Sequence, residues 1–333
     1  MATVFMDWLG LSGPIWLIMV FVVLLVIGLV LLPFSGIGSY IENKTKFPLM
    51  FRVPFYSLAA DRALSIVALL ILFWGAVATI VVIPFTQDLV LADLNIGILY
   101  FFTMISLFVV GLFFKGFSQG NRWVLLGGMR STVKSVSYQI PMVLSVIPVV
   151  LVAGSLSFGD IVNTQSIYNW NFIHNPFCFF ASILFFVSFL GGINRSLLDV
   201  PETEAESDPD FNLEHIGVRS VFLVFAEYSI IFVICAASVV LYFGGWHLPI
   251  IETSYFVAPV RVPIQIITFI FKTLILIIIV LFLRWTLPRF RVDQVLNFSW
   301  RILTPVAFLN FVGAGIWVVA FRGRGILELL FGL

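Results

Sequence analysis

The fold is decided by long apolar runs, for example Ala63-Leu-Ser-Ile-Val-Ala-Leu-Leu-Ile-Leu-Phe-Trp-Gly-Ala-Val-Ala-Thr-Ile-Val-Val-Ile-Pro-Phe85. This stretch has no charged side chain, and a helix of about 20 apolar residues crosses the roughly 30 Å hydrocarbon core of a bilayer. Hydrophobic residues make up 61% of the chain, against about 45–50% in soluble domains. The sequence therefore predicts an all-α polytopic membrane protein, one integral membrane domain over residues 1–333 that lies in the lipid bilayer.

We predict about eight transmembrane helices from the recurrence of such runs. They lie at roughly 14–34, 63–85, 94–114, 137–156, 176–193, 219–243, 263–284 and 302–321. The first run is long and has no basic segment before it, so we expect a true span rather than a cleaved signal peptide.

The 18 Lys and Arg residues are distributed unevenly between the connections. Most of them follow the odd-numbered spans, and the positive-inside rule places those connections in the cytoplasm or an organelle matrix. One such connection is predicted to hold Lys115, Arg122, Arg130 and Lys134, and its residues 115–136 to form a short amphipathic helix on that side. Residues 47–58, which mix apolar and basic side chains, form either a second interfacial helix or an ordered loop.

Composition also excludes several classes of site. A nucleic-acid partner is not expected, because no basic stripe exists. No metal site is expected, because the three histidines are scattered and Cys178 and Cys235 both sit in apolar runs. The chain lacks a dinucleotide-binding fingerprint and a cysteine cluster, so we expect it to hold no flavin or iron–sulfur cluster itself.

An acidic loop is predicted over residues 194–217. It contains Asp199-Val-Pro-Glu202-Thr-Glu204-Ala-Glu206-Ser-Asp208-Pro-Asp210, six acids in a chain that is only 11% charged. If a helix follows Pro201, Asp199, Glu202 and Glu206 share one face, where repulsion and burial both raise carboxylate pKa values. Such groups would exchange protons near neutral pH at the start of a proton path. The alternative is a solvated loop that balances nearby arginines.

Polar residues also fall inside predicted spans. Glu227 lies in the sixth span, Lys272 in the seventh, and Gln139 opens the fourth. An intramembrane Glu and Lys together indicate a buried pair or a proton relay. The alternative is a structural ion pair that fixes helix packing.

These motifs together resemble one family. The acidic segment is similar to the Asp-Leu-Pro-Glu-Ala-Glu-x-Glu motif of a membrane subunit of respiratory complex I, the one called NuoH in bacteria. Further matches follow in order over about residues 60–315. They include Asp93–Tyr100, Leu126–Arg130, Ser137-Tyr138, Asn194-Arg195, Glu214, Ala226-Glu227-Tyr228 and Arg284-Trp-Thr-Leu-Pro-Arg289-Phe-Arg291-Val-Asp-Gln294.

The resemblance implies membership of a proton-translocating NADH:quinone oxidoreductase, an enzyme active only as a multisubunit complex. It implies that quinone is the substrate, that NAD, FMN and iron–sulfur clusters sit in partner subunits, and that this chain joins the peripheral redox arm to the membrane arm. A bacterial cell inner membrane is favoured over a mitochondrial one. Carried over by position, the carboxylates of the proton path are Asp199, Glu202, Glu204, Glu206, Glu214 and Glu227. Candidates for the walls of the quinone chamber or for carboxylate partners are Arg130, Arg195, Arg284, Arg289 and Arg291, together with Glu42.

The sequence departs from the family pattern in three places. The Gly-Pro-Asn segment after the first span is absent, Gln139 replaces the usual Glu, and Ser207–Asp210 replaces Leu-Val-x-Gly. These changes leave open the equivalent subunit of a related membrane-bound hydrogenase or of another donor:quinone reductase. A stand-alone transporter is a third alternative, but it predicts internal repeats, and none stands out.

Overall fold

The computed structural model describes residues 62–87, 89–118, 120, 122–165, 170–192, 218–247, 258–286 and 292–321. The helices are α1 (Arg62–Ile80), α2 (Gly97–Phe117), α3 (Arg122–Ala153), α4 (Phe158–Asn163), α5 (Asn171–His174), α6 (Pro176–Gly192), α7 (Val218–Tyr242), α8 (Ala258–Thr286), α9 (Val292–Phe298), a π-helical turn (Ser299–Leu303) and α10 (Thr304–Phe321). No strand occurs in these ranges, which confirms the all-α prediction.

Six helical segments are long and apolar enough to cross a membrane within the described part of the chain. They are Ala63–Ile80, Gly97–Phe117, Leu125–Ala153, Phe225–Tyr242, Arg261–Leu283 and Val292–Phe321. Pro176–Gly192 is a shorter apolar helix. The protein is therefore a multi-pass integral membrane protein. The predicted span 14–34 and the acidic loop 194–217 lie outside the described residues.

The connection after the third predicted span differs from expectation. The sequence predicted a short amphipathic helix in 115–136 and a separate span from 137, but α3 is one helix from Arg122 to Ala153. Lys115 and Lys134, expected in a solvated connection, lie within α2 and α3 and are 1% and 2% exposed. The prediction of two separate elements was wrong here, because the residues from Arg122 to Val136 include no proline and a helix needs no apolar run to continue through them.

Helix α7 is the centre of the described bundle. Its apolar window Phe225–Tyr242 is 83% buried, whereas the window Arg261–Leu283 of α8 is only 17% buried. Backbones approach closely where glycine permits it: a Cβ at Gly75 would lie 2.9 Å from the Phe108 nitrogen, and one at Gly111 would lie 2.9 Å from the Leu72 nitrogen. Small residues let membrane helices pack at short range, and these two lock α1 against α2.

The last span contains a π-helical turn that packs on α3. Ser299 Oγ donates to the Ser137 carbonyl at 2.8 Å, and Tyr138 Oη donates to the Val295 carbonyl at 2.9 Å. A Cβ at Gly191 would overlap the Tyr138 ring, so this ring fills the space between α6 and the start of the last span. The π-helical turn thus makes specific contacts with α3. Such turns in α-helices are frequent at functional sites.

Candidate functional site

A buried ion pair joins α2 to α7. Glu227 Oε1 lies 4.0 Å from Lys115 Nζ, and the two side chains are 13% and 2% exposed. Lys115 stands in the last turn of α2, where a cation also interacts favourably with the helix dipole. The separation is that of an ion pair rather than of a direct hydrogen bond.

Glu227 also borders a small cavity between α2, α3, α6 and α7. The cavity has a volume of about 60 Å³. Most of its lining is apolar, but Ser135, Gln139, Ser188 and Glu227 present polar groups to it. Since one water needs roughly 10–15 Å³ on this measure and two or more polar partners, the cavity can hold a few waters beside the Glu227 carboxylate.

Gln139 occupies the wall of this cavity on α3. Its Nε2 donates to Ser106 Oγ at 2.6 Å and to the Phe102 carbonyl at 3.1 Å, both on α2. These two bonds fix the orientation of the amide. Among the described residues that line the cavity, Glu227 is the one carboxylate. The cavity region therefore combines one acid, one amide and, through the ion pair, one cation.

Lys272 lies elsewhere, and its predicted pairing with Glu227 is wrong. Its Nζ donates to the carbonyls of Phe243, Gly245 and His247 at 2.8, 3.1 and 2.6 Å. These carbonyls follow the end of α7, about 24 Å along the helix from Glu227 at 1.5 Å per residue. Lys272 therefore caps the far end of α7, where a cation satisfies terminal carbonyls and complements the helix dipole.

The turn that Lys272 holds depends on two glycines and an aromatic ring. Gly244 and Gly245 have φ values of +72° and +50°, which side chains other than glycine rarely adopt. Trp170 lies with its ring centroid 4.5 Å from Lys272 Nζ, a cation–π distance. This lysine is thus bound by backbone and ring, and its role is structural.

Most of the sequence-predicted site residues fall outside the described ranges. This applies to Glu42, Arg195, Asp199, Glu202, Glu204, Glu206, Glu214, Arg289 and Arg291. Arg130 is exposed on α3, and the backbone of Arg284 lies in the last turns of α8. Of the predicted set, Glu227 is the residue that the structure brings to the cavity.

Sequence reasoning missed the role of Lys115. A usable signal was present, because Lys115 is flanked by Phe113, Phe114 and Phe117 and so continues the apolar pattern of its span. A lone cation in such surroundings needs an anionic partner in the bundle.

Comparisons with known proteins follow the same motifs. The family model described as NADH dehydrogenase matches residues 34–315. The chain is 34% identical to the NADH-quinone oxidoreductase H subunit of Anaeromyxobacter dehalogenans over 86% of this chain and 72% of that protein. It is 36% identical to the H subunit of Anoxybacillus flavithermus over 76% of this chain and 72% of the relative. For one H subunit of Cytophaga hutchinsonii the identity is 34%, covering 79% of each chain.

The range matched by the family model includes Lys115, Gln139 and Glu227 and ends within α10. The chain therefore belongs to the NADH dehydrogenase family, that of the H subunits of NADH-quinone oxidoreductases.

Proposed function

We propose that this protein couples quinone reduction to proton translocation in a complex I-type NADH:quinone oxidoreductase. The observation that carries the proposal is Glu227, a largely buried acid in the bundle at the edge of a cavity that can hold water. Ionisable groups inside a membrane are costly, and they mark ion or proton pathways. Family membership supports the same assignment, since the relatives named above are subunits of such oxidoreductases.

The proposed mechanism is electrostatic. Reduction of a quinone near the cytoplasmic face changes the local charge, and the clustered acids Asp199, Glu202, Glu204, Glu206 and Glu214 respond by changing protonation together. Glu227 then passes protons between that cluster and the cavity waters beside it. The chain itself supplies no redox group in this mechanism.

The partners follow from the same proposal. The chain contacts the peripheral redox arm, whose subunits hold FMN and the iron–sulfur clusters and oxidise NADH, and it contacts the other membrane-arm subunits. Arg130, Arg195, Arg284, Arg289 and Arg291, with Glu42, border the quinone chamber or pair with its carboxylates. The complex lies in a bacterial cell inner membrane.

The proposal is tested in the assembled complex in inverted membrane vesicles. Glu206→Gln is expected to impair both quinone reduction and proton pumping, and Glu227→Gln to impair pumping, with assembly retained in both. Asp160→Asn is the control, because Asp160 is an exposed acid at the start of α4 and away from the cavity lining. Normal pumping in both Glu variants would contradict the proposed path.

A second candidate is the equivalent subunit of a membrane-bound hydrogenase or another donor:quinone reductase. It is favoured by Gln139, which removes an acid from the cavity wall, and by the absent Gly-Pro-Asn segment. Membranes of the source cell separate the two candidates. Loss of NADH-driven quinone reduction on deletion of this chain supports the first, and loss of hydrogen-driven reduction supports the second.

A further inference from the structure

We infer that Lys115 is the counter-ion that holds Glu227 as a carboxylate in the resting bundle, and is thereby a positioning residue for proton transfer at this acid. The second half of this inference rests on the function proposed above, whereas the first concerns the ion pair alone. Lys115 lies outside the family motifs matched in the sequence, and its role follows from its place beside Glu227.

Lys115 and Glu227 need each other as partners because both side chains have little exposure to solvent. The side chain of Lys115 is 2% exposed and that of Glu227 is 13% exposed, so both charges are largely shielded from bulk water. A buried ion is strongly unfavourable without a partner of opposite charge. At 4.0 Å each group compensates the other, and a cation this close to a carboxylate favours its ionised form.

The other polar side chains that line the cavity in the described part of the chain carry no charge. Gln139, Ser135 and Ser188 are neutral, and the hydroxyl of Tyr138 donates to the Val295 carbonyl. Lys134 on α3 is the other buried lysine near this wall, adjacent in sequence to the cavity-lining Ser135. Lys115 is the cation that the structure places within ion-pair distance of Glu227.

The ion pair between Lys115 and Glu227 determines the charge that remains after Glu227 accepts a proton. A proton from a cavity water forms an O–H bond on Glu227, which becomes neutral, and the water's lost O–H bond is restored by the next donor in the chain. Lys115 keeps its three N–H bonds and its charge throughout. Protonation removes the negative charge that faces Lys115, and the remaining positive charge repels a second proton and favours release of the first.

The substitution at position 139 fits this arrangement. Where the family pattern has a Glu, this chain has Gln139, so the cavity holds one acid rather than two. The charges of Lys115 and Glu227 offset each other in the resting state. We infer that Glu227 accepts one proton at a time and does so against the positive charge of Lys115.

Infrared spectroscopy of the purified complex at neutral pH tests the counter-ion directly. The measurement is the C=O stretching band of a protonated carboxylic acid, assigned to Glu227 by its loss when Glu227→Gln is added to Lys115→Met. Wild type and Lys115→Arg are expected to lack the band. Lys115→Met is expected to show it, and the double variant Lys115→Met/Glu227→Gln to lose it again.

Lys134→Met is the matched control, since it removes another buried lysine of nearly equal exposure. It is expected to leave Glu227 ionised. A Lys115→Met spectrum identical to wild type, a band that survives in the double variant, or the same band in Lys134→Met would each overturn the inference.

A second measurement covers the case in which Lys115→Met fails to assemble. Removing one ion of a buried pair is more damaging than removing both. The double variant Lys115→Met/Glu227→Gln is therefore expected to assemble better than Lys115→Met alone. Equal loss in both would show that Lys115 does not act through Glu227.

These outcomes are separable from those of the proposed function. If Glu227→Gln pumps normally while the infrared results hold, the ion pair stands and the proton path fails. If Glu227→Gln stops pumping and Lys115→Met leaves Glu227 ionised, the path stands and the counter-ion role fails.

Discussion

The hydroxyl of Tyr138 donates to the backbone carbonyl of Val295 at 2.9 Å, across 157 positions of sequence. This bond joins the middle of α3 to α9, one turn before the π-helical segment Ser299–Leu303. The same ring seats against Gly191 of α6. One side chain therefore fixes three helices beside the cavity that Glu227 borders.

Tyr138→Phe removes this bond, so the Val295 carbonyl loses its side-chain donor. We expect a loss of about 1–2 kcal/mol in stability, because a buried carbonyl that loses its partner is not solvated by water. The measurement is the half-inactivation temperature of quinone reduction in the assembled complex. Tyr100→Phe is the control, since Tyr100 is half-buried and its hydroxyl makes no hydrogen bond to the described residues. Equal temperatures for the two variants would contradict the role of the bond.

Gly191→Ala places a methyl group where the Tyr138 ring lies. We expect a loss of about 1–3 kcal/mol, the usual effect of overpacking a filled site, and a displaced Tyr138. The matched control is Gly192→Ala, because a Cβ there meets Tyr138 at an ordinary contact distance of 3.6 Å. Complex yield and half-inactivation temperature should fall for the first variant and change little for the second. The reverse order would show that Tyr138 is not held against Gly191.

Lys272→Met removes the donor shared by three carbonyls after α7. We expect destabilisation on the order of 2–3 kcal/mol, the cost of losing hydrogen bonds from a charged group to buried acceptors. The measurement is the recovery of assembled complex after detergent extraction. Lys272→Arg keeps the charge and should recover part of the stability. A change in proton pumping per quinone reduced, with assembly intact, would instead assign Lys272 to the proton path.

Gln139→Glu restores an acid to the cavity wall. The amide now donates to Ser106 and to the Phe102 carbonyl, whereas an ionised carboxylate cannot donate at all. The variant should therefore approach wild-type stability in acidic buffer and lose on the order of 1–3 kcal/mol as the pH rises and the new carboxyl ionises. The half-inactivation temperature is measured against pH. Gln139→Leu, which cannot titrate, should show a deficit that does not change with pH.

The long apolar helices of the bundle could be anticipated from composition, whereas the short helices α4, α5 and α9 were not predicted. Runs such as 63–85 have no charge to solvate, and inside a membrane every backbone donor must find its acceptor within the helix or a closed barrel. The apolar run therefore predicts a helix whatever its neighbours are. The ends of the helices were less predictable, since α3 begins at Arg122, well before the apolar segment that starts near 137.

The partners of the charged residues could not be obtained in the same way. Glu227 and Lys272 stood out as intramembrane charges, but their separation along the bundle depends on how α7 and α8 pack. Lys115 resembled a loop cation until the last turn of α2 was seen buried against α7. Whether two charged side chains form a pair depends on how the helices pack, and the sequence pattern does not specify that packing.

The sequence by itself determined that this protein is a bundle of membrane helices, that it carries the motifs of its family, and that Gln139 stands where an acid is usual. Only the tertiary structure decided that Gln139 and Glu227 border one cavity, that Lys115 is the partner of Glu227, and that Lys272 caps a helix. The physical reason is that hydrophobicity acts on each residue separately, whereas the compensation of a buried charge requires two groups from different helices at one point in space.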